Sequence, residues 1–268
     1  MNFKIELTRI LNAFGLNPTR STPNAIVLDT IFKIKPIESN LVRVGPQNDG
    51  GYFLPKDFNG VSYAFSPGSN GAWGFEKDLG DNYGIHSFII DKEIKAPQGL
   101  TKFQSFRPGL LGPYNSSEYI TLETWIESTP AKFDNELILQ MDIEGAEFSC
   151  LLTTPDYVLN KFRIIVVEFH NLNWLLNYPY FKNCVGPTLE KLLIHFSVVS
   201  VHPNNSASKF KFLDFELPQV IEVTFHRKDR VRNVTPLSLK LDSKSHRNNL
   251  SKKDLEIDWT KISRSLKK

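Results

Sequence analysis

Carboxylates and histidines recur in this chain directly after short apolar runs. Leu137, Ile138, Leu139 and Met141 form one run, and Asp142, Glu144 and Glu147 follow it. Ile164 to Val167 lead into Glu168 and His170, and the stretch from Ser197 leads into His202, Pro203 and Asn204. Earlier, Val61 to Phe65 run into Ser66-Pro67-Gly68-Ser69-Asn70-Gly71, and Ile85 to Ile90 into Asp91. Histidine moves protons near neutrality, and carboxylates accept protons, neutralise a cationic ligand or hold a hard divalent ion. A loop of small residues lets backbone approach a ligand, and an acid about twenty residues further on accepts hydrogen bonds from both ribose hydroxyls of an adenosine. Ser66 stands where the glycine-rich fingerprint has its first glycine. Taken singly, each group also reads as a helix cap, half of an ion pair or a structural histidine.

The elements that must position these groups alternate in type. Strands read over Leu41–Val44, Tyr52–Leu54, Val61–Phe65, Ile85–Ile90, Leu137–Met141 and Ile164–Val167, and over the SVVSVHPNN and QVIEVTFHR stretches. Helical spacing covers residues 3 to 15, AIVLDTIFKI before Pro36, Trp73 to Gly80, FSCLLTTPDYVLNKF with a break near Pro155, and LEKLLIHF. Asn48-Asp49-Gly50-Gly51 marks a hairpin turn, and Gly99 to Ser117 reads as a Gly- and Pro-rich loop before the short strand and helix of YITLETWIES. This order predicts one α/β domain over residues 41 to 230, with a largely parallel sheet, behind N-terminal cover helices in residues 1 to 40. Parallel strands put their C-terminal tips on one edge, so Ser66–Gly71, Asp91, Asp142, Glu144, Glu168, His170, His202 and Asn204 are expected to meet there.

Composition bounds the alternatives. The 268 residues are 41% hydrophobic and 23% charged, which suits a soluble globular chain. No apolar run is long enough to span a bilayer. Glu6 and Arg9 interrupt any signal-peptide core, and Cys150 and Cys184 lack metal-ligand spacing, so free thiols in a reducing cytoplasm are expected. Arg227 to Lys268 hold 13 Lys and Arg against 5 Asp and Glu, a net +8 that leaves −5 on the first 226 residues. An acidic body with a basic tail argues against a nucleic-acid partner. Leu255, Trp259, Ile262 and Leu266 in that tail repeat at helical steps among lysines, which predicts a basic amphipathic helix in residues 231 to 268. Such a helix docks on its own domain or on a second copy, or contacts an anionic membrane.

The chain holds no GxSxG, GxxxxGK[ST] or HExxH motif, which removes nucleophile-elbow, phosphate-loop and zincin chemistry. An adenosine pocket beside carboxylates and a histidine leaves hydride transfer or methyl transfer. MDIEGAE after an apolar strand, with VGPQNDGGYFLP, VHPNN and IEVTF in order, resembles the FkbM-type family of S-adenosylmethionine-dependent methyltransferases from about Val42 to Arg227. The resemblance implies a Rossmann-like class I methyltransferase fold, a mostly parallel seven-stranded sheet with the last strand antiparallel and helices on both faces. It also implies methylation of a hydroxyl, commonly on a sugar or polyketide.

Carried onto this sequence, the resemblance makes FSPGSNG the donor loop, with Ser66 and Gly68 against S-adenosylmethionine and Asp91 on its ribose. Asp142 lies near the methionine moiety or the acceptor, and Asp49, Gly50, Gly51 and Tyr52 line the site. Glu168, His170, His202 and Asn204 face a small-molecule or glycan acceptor, nucleotide-activated or glycan-linked. As general base, His170 comes first and Asp142 or Glu144 second, with Glu168 beside them. A sugar hydroxyl is a poor acid, so a divalent cation such as Mg²⁺ on Asp142, Glu168 and His170 is a further expectation. The rival readings are a nicotinamide-dependent oxidoreductase on the same edge and a non-catalytic glycan-binding domain.

Overall fold

In the computed structural model the described residues are 19–94, 97–231 and 247–267; the helix expected over residues 3 to 15 lies outside them. Seven strands form the central sheet: β1 (Tyr63–Pro67), β2 (His86–Asp91), β3 (Gln104–Pro108), β4 (Leu137–Met141), β5 (Phe162–Phe169), β6 (Phe196–Pro203) and β7 (Ile221–Arg227). Their order across the sheet is 3-2-1-4-5-7-6. Neighbours from β3 to β5 run parallel, and β7 runs antiparallel to both β5 and β6. This is the Rossmann-like class I methyltransferase fold.

The period of two along a strand explains the layers. In β4, Leu137, Leu139 and Met141 enter the larger core, while Ile138 faces the opposite side with Ile164 and Val166 of β5. Every residue of β4 and β5 is buried, which is why both read as near-continuous apolar runs. The larger core is covered by α1 (Asn24–Lys33), α3 (Leu122–Glu127), α4 (Glu147–Thr153), α5 (Asp156–Leu159) and α6 (Gly186–His195). The smaller core is closed by α2 (Gly74–Tyr83) and by the antiparallel hairpin of Leu41–Val44 with Tyr52–Pro55. Thr224 Oγ1 donates to Phe53 O at 2.7 Å and pins that hairpin to β7.

Two segments differ from the sequence expectation. The stretch read as loop from Gly99 to Ser117 contains β3, the edge strand beside β2. Only its first residue is buried, so it carries no apolar run to announce it. A second hairpin, Lys209–Phe212 with Phe215–Pro218, was hidden because one face alone packs, through Phe212, Phe215 and Leu217.

The C-terminal segment returns across the domain. Helix α7 (Trp259–Leu266) sets Ile262 in the main core with 1% exposure, and Trp259 and Leu266 pack against that core. Asn205 Oδ1 accepts from Asn249 N at 2.8 Å, and Lys261 Nζ donates to Asp214 O at 2.5 Å. The apolar side of the helix is thus spent on its own domain. Among the described residues no helix is long and apolar enough to cross a membrane.

Candidate active site

The tips of β1, β2, β4, β5 and β6 share one edge of the sheet, and the antiparallel β7 begins on it. The loop after β1 passes over the end of β4. Gly68 has φ 78°, and a Cβ there would stand 1.6 Å from Asp142 O, so only glycine permits this crossing. Asp91, at the tip of β2, fastens the loop: Oδ2 accepts from the backbone N–H of Ser69 at 3.1 Å and Asn70 at 3.0 Å, and Oδ1 from Glu93 at 2.8 Å. Each carboxylate oxygen has more than one acceptor direction, so holding the loop and accepting from a ribose hydroxyl are compatible.

Ser66 requires a correction. It is wholly buried, and its side chain turns beneath the loop instead of toward a donor. Its hydroxyl donates to Gln140 Oε1 at 2.5 Å and also meets Glu76 Oε1. A hydroxyl has one proton, so with that proton on Gln140 the contact to Glu76 is made by a proton on the carboxyl. Burial pushes Glu76 up to about 7, against the opposing effect of the Ser66 hydrogen bond. Gln140 Nε2 donates to Tyr52 OH at 3.2 Å, which ties the turn of Asp49, Gly50, Gly51 and Tyr52 to β4 from below. Ser66 lies within β1, opposite Ile89 of β2, and has the negative φ of extended backbone.

His170 occupies the middle of the edge. Its Nδ1 lies 3.0 Å from Glu147 Oε1 and 3.1 Å from Glu168 O. Glu147 Oε1 also accepts from the N–H of Ile143 and Gly145, so it is an acceptor, and Nδ1 carries the proton. Nε2 therefore faces the cleft, 3.4 Å from Glu144 Oε2, 3.8 Å from Asp142 Oδ1 and 3.9 Å from Glu168 Oε1. Glu144 is the nearest of the three but 85% exposed, so solvent screens it, whereas Asp142 and Glu168 meet Nε2 inside the cleft. Burial raises Asp142 to about 8, reinforced by the charge of Glu168. Burial likewise raises Glu168 to about 7, opposed by a hydrogen bond from Asn204. For His170, burial works downward, but the Glu147 hydrogen bond and the surrounding carboxylates outweigh it and lift the imidazole to about 9. The first-choice base thus holds a proton near neutrality. Protons on this edge belong to a coupled group of three side chains.

Beyond Glu168 the row continues through Glu222 and His202, register partners across β5, β7 and β6. Asn204 Nδ2 donates to Glu168 Oε1 at 2.8 Å. Asn248, from the C-terminal segment, donates to Glu222 Oε1 at 2.6 Å and Asp49 Oδ1 at 3.0 Å, and its Oδ1 lies 3.1 Å from His202 Nε2. Burial holds Glu222 well above the ordinary carboxylate range and lowers His202.

Glu76, Gln140, Glu222 and Asn248 escaped the sequence reading as site residues, and Glu147 was noted as a strand-tip carboxylate but given no role. Glu222 had a signal: a carboxylate inside an apolar run, at the start of a strand that resemblance already made antiparallel. Asn248 had none, because it arrives from the far end of the chain. Among the described residues, buried side-chain atoms without a hydrogen-bond partner include Ser69 Oγ, Glu76 Oε2, Asp142 Oδ1 and Glu147 Oε2, all beneath or on this edge. Buried polar atoms left unpaired in a native fold mark places built for something other than stability.

No protein-family model matches the chain, and no curated protein does. Solved structures similar to it include a SAM dependent methyltransferase from Archaeoglobus fulgidus, at 14% identity over 63% of this chain and 88% of that chain, with a TM-score of 0.36. Another is Precorrin-6y C5,15-methyltransferase from Geobacter metallireducens, at 10% identity over 76% of this chain and 88% of that one, with a TM-score of 0.34. Likenesses this distant leave the strand order as the ground for the fold and say nothing of the substrate.

Proposed function

We propose that the chain is an S-adenosylmethionine-dependent O-methyltransferase of the FkbM type whose acceptor is a hydroxyl of a sugar. One observation carries the reading: the loop fastened by Asp91 lies directly over Asp142, and His170 Nε2 lies within 4 Å of both Asp142 and Glu168. An adenosine on the loop would direct its sulfonium toward the carboxyl oxygens of this group. The acceptor enters beside Glu168 and Asp49, whose oxygens accept hydrogen bonds from hydroxyls, and a glycan or other polyhydroxyl compound fits that wall.

In the reaction the acceptor oxygen attacks the donor methyl carbon in line with the carbon–sulfur bond. That bond breaks toward sulfur, leaving S-adenosylhomocysteine, and the hydroxyl proton passes to the Asp142–Glu168–His170 group. Glu147 holds the ring so that Nε2 presents to the cleft. Calorimetry with S-adenosylhomocysteine against NAD(P)H tests the donor, and binding of the nicotinamide alone would overturn the reading. Methyl transfer to a panel of nucleotide sugars and oligosaccharides tests the acceptor class.

A further inference from the structure

We propose that Asp142, Glu168 and His170 bind one divalent cation, through a carboxylate oxygen of each acid and Nε2 of the histidine. The three ligand atoms lie within 4.8 Å of one another. One ion at roughly 2.0 to 2.6 Å from each would fit that span. Two observations set the group apart from an ordinary acidic patch. Nδ1 of His170 is held by Glu147 Oε1 and Glu168 O, which fixes the ring and turns Nε2 into the space between the acids, where a bound ion would take the place of its proton. That is the outer-shell arrangement that orients metal-ligating histidines. Asp142 Oδ1, 3.8 Å from Nε2, is buried with no hydrogen-bond donor, an acceptor aimed into the same space and lacking a partner.

One imidazole and two carboxylates suit Mg²⁺ or Mn²⁺, which keep further positions for water or substrate oxygen. The chemical consequence rests on the methyltransferase reading: a sugar hydroxyl placed in an open position would be acidified before it meets the methyl group. The evidence for the site does not rest on that reading.

The test is titration of the full chain with Mn²⁺, read by electron paramagnetic resonance of the free ion, alongside S-adenosylhomocysteine calorimetry. One ion per chain is expected. His170→Ala and Asp142→Asn should each weaken it at least about tenfold, and Glu147→Gln by about 10- to 100-fold. Glu118→Gln, a remote exposed acid, should change nothing. Asp142 is partly exposed at a strand tip, so its amide variant keeps the test decisive if His170→Ala fails to fold. Absence of binding below millimolar Mn²⁺, or binding indifferent to both variants, overturns the site. S-adenosylhomocysteine binding without Mn²⁺ sinks the cation site alone. Mn²⁺ binding without S-adenosylhomocysteine keeps the site and sinks the methyltransferase reading.

Discussion

Asn248 donates to Glu222 Oε1 at 2.6 Å across 26 residues of sequence, and the same amide nitrogen reaches Asp49 Oδ1 at 3.0 Å. The C-terminal segment therefore takes part in the row of polar groups proposed to face the acceptor. Replacing Asn248 with alanine leaves a buried carboxyl without its donor, and should cost about 1–3 kcal/mol in urea denaturation. It should also raise the acceptor KM while S-adenosylhomocysteine affinity holds. An unchanged KM in a folded variant would confine Asn248 to a structural role.

Asp91→Ala removes the carboxylate that two loop N–H groups share. Hydrogen bonds to a charged group contribute about 1.5–3 kcal/mol, so donor affinity should fall about 10- to 100-fold. Calorimetry with S-adenosylhomocysteine measures this, and the fold should survive, because the loop lies outside both cores.

His170→Ala should lower turnover by about 10²- to 10⁴-fold, the usual range for a positioned proton-transfer group, with a smaller change in donor affinity. Glu147→Gln keeps the ring in place but weakens its fixed orientation, and should give a milder loss of kcat. Normal turnover in His170→Ala would remove this residue from the chemistry.

Glu76 predicts a stability that depends on pH. Its folded value, about 7, lies above the unfolded 4.5, so the folded chain binds more protons between those values. Stability is fully present below about 4.5 and lost as pH rises through 7, a decline on the order of 3 kcal/mol. Glu76→Gln keeps a donor for Ser66 and cannot ionise. Its denaturation midpoint should fall less between pH 5 and 8 than that of the parent chain; the other raised carboxyls are common to both.

At the opposite edge of the sheet, Asp57 accepts from Arg230 at 2.8 Å and lies 3.1 Å from His226 and 3.3 Å from Arg163. Burial works to raise its pKa, but these hydrogen bonds and charges outweigh it and hold the carboxyl at about 2. Arg163 is nearly buried and keeps Glu136 at 2.6 Å, so Asp57→Ala removes one of its two carboxylate partners together with the acceptor for Arg230 and His226. The cost should be about 1–3 kcal/mol in chemical denaturation, with S-adenosylhomocysteine affinity unchanged.

Much of the fold was legible in the chain because fully buried strands advertise themselves. β4 and β5 are apolar on both faces, and Asp142, Glu168 and His170 stand out where the apolar runs stop. β3 was illegible for the converse reason, since a half-exposed edge strand needs no apolar run. Ser66 shows a subtler limit. It was read as the start of the loop but is the last but one residue of β1, and only packing against Glu76 and Gln140 decided that its hydroxyl points inward.

The sequence by itself determined the alternation of elements, the apolar layers and the carboxylates at strand tips, because burial and backbone period are written residue by residue. The tertiary structure alone decided which of those carboxylates meet, that Glu147 turns Nε2 of His170 toward two acids, and that Asn248 closes the row. Those contacts join residues 23 to 199 positions apart. Such distances are set by the order and direction of strands across a sheet, which no local pattern encodes.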